Sequence, residues 1–136
     1  MKVTNTIRVD IAPAEAWRVV GDLTGVDSWI PGVVSATVEG DRRLCETADG
    51  GQIVERITSY SDDDRSYGYA HIQQPLAIEN SRGTLSVQPD RDGAVIVWEA
   101  SFEPPDAEIG GMVERAYRET LDSLARLLEE PARPAA

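Results

Sequence analysis

The sequence predicts an α+β fold: a seven-stranded, curved antiparallel sheet wrapped around one long C-terminal helix, with two short helices after the first strand. Three observations predict it. Strand-like segments separated by short polar turns run from Val33 to Phe102. One continuous amphipathic stripe follows, from about Ala107 to Glu129. No other helical stretch is long enough to cover the sheet's apolar face, and a sheet gripping a single helix tends to leave a pocket between the two.

The elements follow in chain order. Val3, Asn5, Ile7, Val9 and Ile11 alternate with Lys2, Thr4, Thr6, Arg8 and Asp10, the period of two that marks a strand with one face inward. Pro13 suits a first helical turn and Glu15 the positive end of the helix dipole; Trp17, Val20 and Leu23 recur at helical spacing. A second short helix ends at Trp29-Ile30-Pro31-Gly32, because Pro31 disfavours continuation. Six strands are then expected at Val33–Val38, Arg43–Thr47, Gln52–Tyr60, Ser66–Gln73, Arg82–Gln88 and Ala94–Phe102. The turns Glu39-Gly40-Asp41, Asp49-Gly50-Gly51, Asp62-Asp63-Asp64 and Asp90-Arg91-Asp92-Gly93 are short, which implies an antiparallel meander. Pro75 would break a central ladder, so Gln74–Ile78 reads as a loop or edge. Asp106 is the expected N-cap of the final helix, whose stripe comprises Ile109, Met112, Val113, Ala116, Tyr117, Leu121, Leu124, Leu127 and Leu128. Gly110 and Gly111 in its first turn suit either close packing on the sheet or a soft start that admits a ligand.

The 136 residues fit one domain over residues 1–130, with a disordered tail at 131–136. A formal charge of −11 repels phosphate backbones and anionic lipid, so nucleic acid is not an expected partner. No apolar run approaches the ~18 residues of a membrane span, and the first residues lead into a strand pattern; no membrane insertion and a cytoplasmic location are the expectations. A single Cys45 forms no internal disulfide, and one His with one Cys cannot build a Cys/His-rich zinc site. No EF-hand spacing, Ser-nucleophile motif, phosphate-cradling glycine loop or HExxH pair occurs, so neither a metal nor an organic cofactor is expected.

Several short stretches, in order, resemble the START/Bet v 1-like (SRPBCC) superfamily in its polyketide cyclase/dehydrase-like branch. They are Pro13-Ala14-Glu15-Ala16-Trp17, Asp22, Trp29-Ile30-Pro31, Val54-Glu55-Arg56-Ile57, Tyr69, Pro75-Leu76, and Val97-Trp98 leading to Phe102-Glu103-Pro104. The resemblance covers almost the whole chain. It implies a helix-grip fold with a deep, mostly apolar cavity between sheet and C-terminal helix. It does not choose among lipid and hormone carriers, aromatase/cyclases and subunits of larger enzymes. Members of the branch often carry an aromatic residue after the Pro-Leu link, where this chain has Glu79-Asn80-Ser81.

Alternation nominates the cavity residues. Trp98 and Phe102 share the more apolar face of the last strand. Tyr67, Tyr69 and His71 share a face of the Ser66–Gln73 strand, whose other face is too small to fill a core. If Ile53 and Ile57 face inward, Glu55 does too. A carboxyl in an apolar cavity has its pKa raised unless a cation pairs it, and Arg82 or Arg56 are candidate partners. Glu55, His71 and Tyr69 are thus the candidate catalytic residues, the first two as proton carriers and Tyr69 as a hydrogen-bond donor. Trp29, Tyr67, Trp98, Phe102, Met112, Val113, Tyr117 and Arg82 are the candidate ligand-binding residues. The expected function is binding of a small hydrophobic or aromatic molecule, polyketide-like or lipid-like, by a monomer or homodimer. The alternatives are a cofactor-independent cyclase, dehydratase or isomerase, and a partner-binding protein.

Overall fold

A computed structural model describes residues 1–129. Its elements are β1 (Lys2–Val9), α1 (Pro13–Val20), a 3-10 turn (Val26–Ser28), β2 (Val33–Glu39), β3 (Arg42–Thr47), β4 (Gln52–Ser61), β5 (Ser66–Gln73), β6 (Glu79–Asp90), β7 (Gly93–Glu103) and α2 (Ala107–Glu129). The proposed tail at 131–136 lies outside the described residues.

The seven strands form one antiparallel sheet in the order β1-β7-β6-β5-β4-β3-β2, a meander closed at one edge by the return of β1 beside β7. β1 and β2 are consecutive strands at opposite edges, so α1 and the 3-10 turn carry the chain across the sheet's end between them. The tight turns need backbone that glycine supplies: Gly40 and Gly50 adopt φ of 62° and 87°. β6 starts three residues earlier than the alternation predicts. Glu79 already pairs Glu103, and an irregularity between Glu79 and Arg82, with Asn80 at φ 51°, interrupts the period of two that would have marked it.

α2 begins where Asp106 Oδ1 accepts from the Ile109 amide at 2.8 Å, the cap the sequence predicts. Its stripe of Val113, Tyr117, Leu121, Leu124 and Leu128 is buried in one core with Val9, Leu85, Val87, Ile96 and Phe102 from the sheet. Each such side chain contributes about 1.5–3 kcal/mol of transfer free energy. Gly110 is a packing glycine: a Cβ there would sit 2.8 Å from Met1 Sδ and 3.3 Å from Pro104 Cγ. Met112 is half exposed and does not line the cavity, so it is not the ligand-binding residue the sequence nominates.

Candidate functional site

Register assembles the site. Arg43 on β3 pairs directly with Glu55 on β4, and Glu55 pairs with His71 on β5. Directly paired residues in an antiparallel sheet project to the same face. Ala70 pairs with Arg82, so the next inward position on β6 beside His71 is Ser81. One polar row therefore crosses four adjacent strands. Apolar rows flank it: Cys45 and Ile53 on one side, Ile57 and Tyr69 on the other.

The row is linked by close polar contacts along its length. Arg43 Nε donates to Glu55 Oε1 at 2.8 Å, and Arg43 Nη1 donates to the Leu23 carbonyl at 3.3 Å. The guanidinium also lies over the Tyr67 ring, 5.5 Å from its centroid. Glu55 Oε2 stands 3.5 Å from His71 Nε2, and His71 Nδ1 is 2.7 Å from Ser81 Oγ. Arg43, Glu55 and Ser81 are all buried. Burial pushes the Glu55 carboxyl up, but the hydrogen bond with His71 and the charge of Arg43 outweigh it and hold the carboxyl below its ordinary value. This corrects two expectations. Glu55 is not a raised-pKa acid, because a cation does pair it, and that cation is neither Arg82 nor Arg56. Arg82 is exposed on the opposite face of the sheet, as Arg56 is.

Above this row lies a cavity of about 470 Å³ between the sheet and the middle of α2. Its wall includes Glu55, Tyr67, Tyr69, His71, Trp29, Trp98 and Tyr117 from among the residues nominated by alternation. Phe102, Val113, Met112 and Arg82 do not line it. Phe102 and Val113 are buried beyond its end, with the Phe102 ring edge-on to Tyr117 at 6.1 Å. The cavity sits against Ala116, Tyr117 and Thr120, more than two turns past the helix start, which is why the early α2 residues miss it. Sequence reasoning missed Arg43 and Ser81. The Arg43–Thr47 alternation sets Arg43 and Cys45 against Leu44 and Glu46, which names no inward face. Ser81 shares parity with Leu85 and Val87, but Ser81 and Gly83 are too small to make that face stand out.

The aromatic walls hold one another. Trp29 meets Trp98 edge-on at 6.4 Å, and Trp98 packs on Tyr117 at 4.6 Å. Trp98 Nε1 donates to the Tyr69 hydroxyl at 2.9 Å. Gly83 makes this possible: a Cβ there would lie 2.6 Å from the Tyr69 hydroxyl oxygen. Burial raises the pKa of Tyr69 well above that of an ordinary phenol, so it keeps its proton as a donor. Burial likewise raises Tyr117, against smaller opposing effects of the nearby Ser81 and Tyr69 hydroxyls. Trp29 Nε1 and the Tyr117 hydroxyl are buried in the cavity wall and make no hydrogen bond among the described residues. Cys45 also lines the cavity; burial pushes its thiol up to about 11, so it is not a thiolate near neutral pH.

The wall as a whole is mostly apolar and aromatic, and its buried Arg43–Glu55 ion pair is mutually compensated. It can hold a flat, uncharged molecule and hydrogen-bond to that molecule's oxygens.

A family profile described as polyketide cyclase / dehydrase and lipid transport matches residues 1–129. No curated protein matches the sequence. Among solved structures, an uncharacterised protein from Bacillus thuringiensis superposes with a TM-score of 0.86 at 22% identity, covering 94% of this chain and 98% of that one. The protein XoxI from Bacillus cereus gives a TM-score of 0.86 at 21% identity, covering 95% and 96%. The aromatase/cyclase Zhui from Streptomyces sp. R1128 gives 0.81 at 17% identity, covering 100% and 98%. These likenesses establish the fold.

Proposed function

Because the chain belongs to the polyketide cyclase/dehydrase and lipid transport family, we propose that it binds a neutral, mostly apolar aromatic molecule in the cavity beneath α2, through one or more carbonyl oxygens. The observation that carries this reading is the aromatic cavity wall, in which Trp29 and Tyr117 each bring a buried polar group that has no hydrogen bond among the described residues. A buried donor without a partner costs about 1–3 kcal/mol, and a ligand oxygen recovers that. An aliphatic or aromatic hydrocarbon would fill the volume without recovering it. A ligand carboxylate would enter against the protein's own field and meet Glu55, whose charge is already satisfied by Arg43.

The test is a fluorescence titration, since Trp29 and Trp98 line the cavity. 2-Acetylnaphthalene is expected to bind about tenfold more tightly than 2-ethylnaphthalene, the equivalent of about 1.4 kcal/mol. Tyr117→Phe or Trp29→Phe should narrow that gap while leaving the hydrocarbon's affinity nearly unchanged. Equal affinity for the two probes in the unmodified protein would overturn the reading. Mass spectrometry of molecules retained from expression would then identify the natural guest.

A further inference from the structure

The outer face of the sheet, away from the cavity, carries a second row that register defines. Arg42 pairs with Arg56, Arg56 with Ala70, Ala70 with Arg82, Arg82 with Ser101, and Ser101 with Lys2. Four of the chain's 13 lysines and arginines therefore stand in one line from β3 to β1, and all four are exposed. None of the four makes an ion pair among the described residues. Arg42 and Arg56 stand directly opposite each other, and like charges in that position destabilise a sheet. An acid at either position would remove that cost. The carboxylates adjacent to the row by register are at its margins. Glu39 pairs with Arg42 at the β2 edge, and Glu99 and Glu103 sit two residues to either side of Ser101. None of them comes within ion-pair distance of a cation of the row. Beside Arg42 and Arg56 on the same face lie Leu44 and Val54, which pair with each other and are half-buried. Next to them Ile72, the extra residue where β5 shifts against Val54 and Glu55, is 52% exposed. At the far end of the row the face dips into a hollow of about 280 Å³ lined by Lys2, Arg82, Ser101, Thr84, Glu99 and Gly68.

We propose that this row docks an acidic amphipathic α-helix of a partner protein, laid across the strands with its carboxylates facing Arg42, Arg56, Arg82 and Lys2. This goes beyond the cavity reading and does not rest on it. The dimensions agree. From β3 to β1 the row crosses five inter-strand spacings, about 24 Å, the length of a helix of about 16 residues. One helical turn rises about 5.4 Å, close to one inter-strand spacing of about 4.8 Å, so carboxylates on successive turns meet successive strands. An apolar stripe beside those carboxylates would rest on Leu44, Val54 and Ile72. A nucleic-acid backbone fits less well: the row is one cation wide, and the rest of a chain of formal charge −11 repels phosphates on either side of it. The same overall charge does not prevent a helix from docking. At physiological ionic strength the Debye length is about 8 Å, so remote carboxylates are screened while the cations in contact are not.

The experiment uses the full chain and fluorescence anisotropy of a labelled peptide of about 16 residues, with glutamates on successive turns beside a leucine stripe on an alanine background. The peptide is expected to bind, and the same residues in shuffled order to bind at least about tenfold more weakly. Arg42→Glu and Arg56→Glu should each weaken binding about tenfold or more, and raising the salt should weaken it further. Arg115→Glu, the same charge change on the exposed side of α2, should leave the affinity unchanged. Arg56→Glu sets opposite charges across β3 and β4, so it is expected to unfold at no lower a temperature than the unmodified protein and to bind 2-acetylnaphthalene equally well. Lost docking is then not lost folding. If Arg56→Glu fails to fold, Arg82→Glu, which faces Ala70 and Ser101, carries the same test. No binding of the ordered peptide, equal binding of the shuffled one, an affinity unmoved by the row substitutions, or tighter binding of a single-stranded oligonucleotide of the same charge overturns the proposal.

Discussion

Arg43 and Glu55 are a buried charge pair, and such a pair is worth less than it looks. Desolvating both ions costs several kcal/mol, which their attraction only roughly repays. Removing one member is different, because the other is left charged in the core. Glu55→Gln or Arg43→Met is therefore expected to destabilise the fold by about 3–5 kcal/mol in urea denaturation, while the double substitution costs much less than the sum. The pH dependence has a definite sign. The folded-state pKa of Glu55 lies below its ordinary value. Its contribution is therefore fully present above the ordinary carboxylate range and is lost as pH falls through the lower folded value. A stability profile from pH 7 down to pH 3 should show this acid loss in the unmodified protein and a shallower one in Glu55→Gln. Alternation made Glu55, Tyr69 and His71 legible as inward-facing. The identity of the Glu55 partner was not legible, because it depends on which residue of β3 stands opposite, and the turn sets that register.

At the scale of elements, the strands were readable where the period of two was clean and obscured where it broke. The irregularity between Ile57 and Ser59 is an example. Alternation alone puts Tyr60 on the face opposite Glu55, yet Tyr60 pairs with Tyr67 and stacks on it at 6.5 Å. One extra residue in β4 reverses the parity of everything after it. Gly83 shows the opposite dependence, a central strand that needs the absence of a side chain. Gly83→Ala would drive a Cβ to 2.6 Å from the Tyr69 hydroxyl oxygen and 2.8 Å from the Glu99 carbonyl. The expected cost is about 1–3 kcal/mol, read from thermal unfolding, with a change in near-ultraviolet circular dichroism as Tyr69 leaves Trp98. Gly83→Ala should also weaken 2-acetylnaphthalene binding, since Tyr69 and Trp98 share the cavity wall.

For the whole molecule, the formal charge of −11 and the cavity act together. The field disfavours approach of anions and leaves neutral guests untouched. 2-Acetylnaphthalene should bind with the same affinity at low and high ionic strength. 2-Naphthoate should bind more weakly and gain affinity as salt screens the field. A salt-independent naphthoate affinity matching that of the ketone would contradict this reading.

What the sequence determined by itself was the fold class and the inward face of the strands with clean alternation, β4 up to its irregularity, β5 and β7. Both follow from local rules: periods of two and near four, glycines and prolines at turns, and the scarcity of helices to cover a sheet. The tertiary structure alone decided which inward residues meet. It placed Arg43, Glu55, His71 and Ser81 in one row, set the cavity against the middle of α2 and not its start, and left Arg82 on the outer face. The physical reason is that hydrogen bonds and ion pairs act over about 3 Å, less than the rise of one residue along a strand. A shift of one position in register or one irregular residue therefore changes every partner, while the burial pattern that fixes the fold survives it.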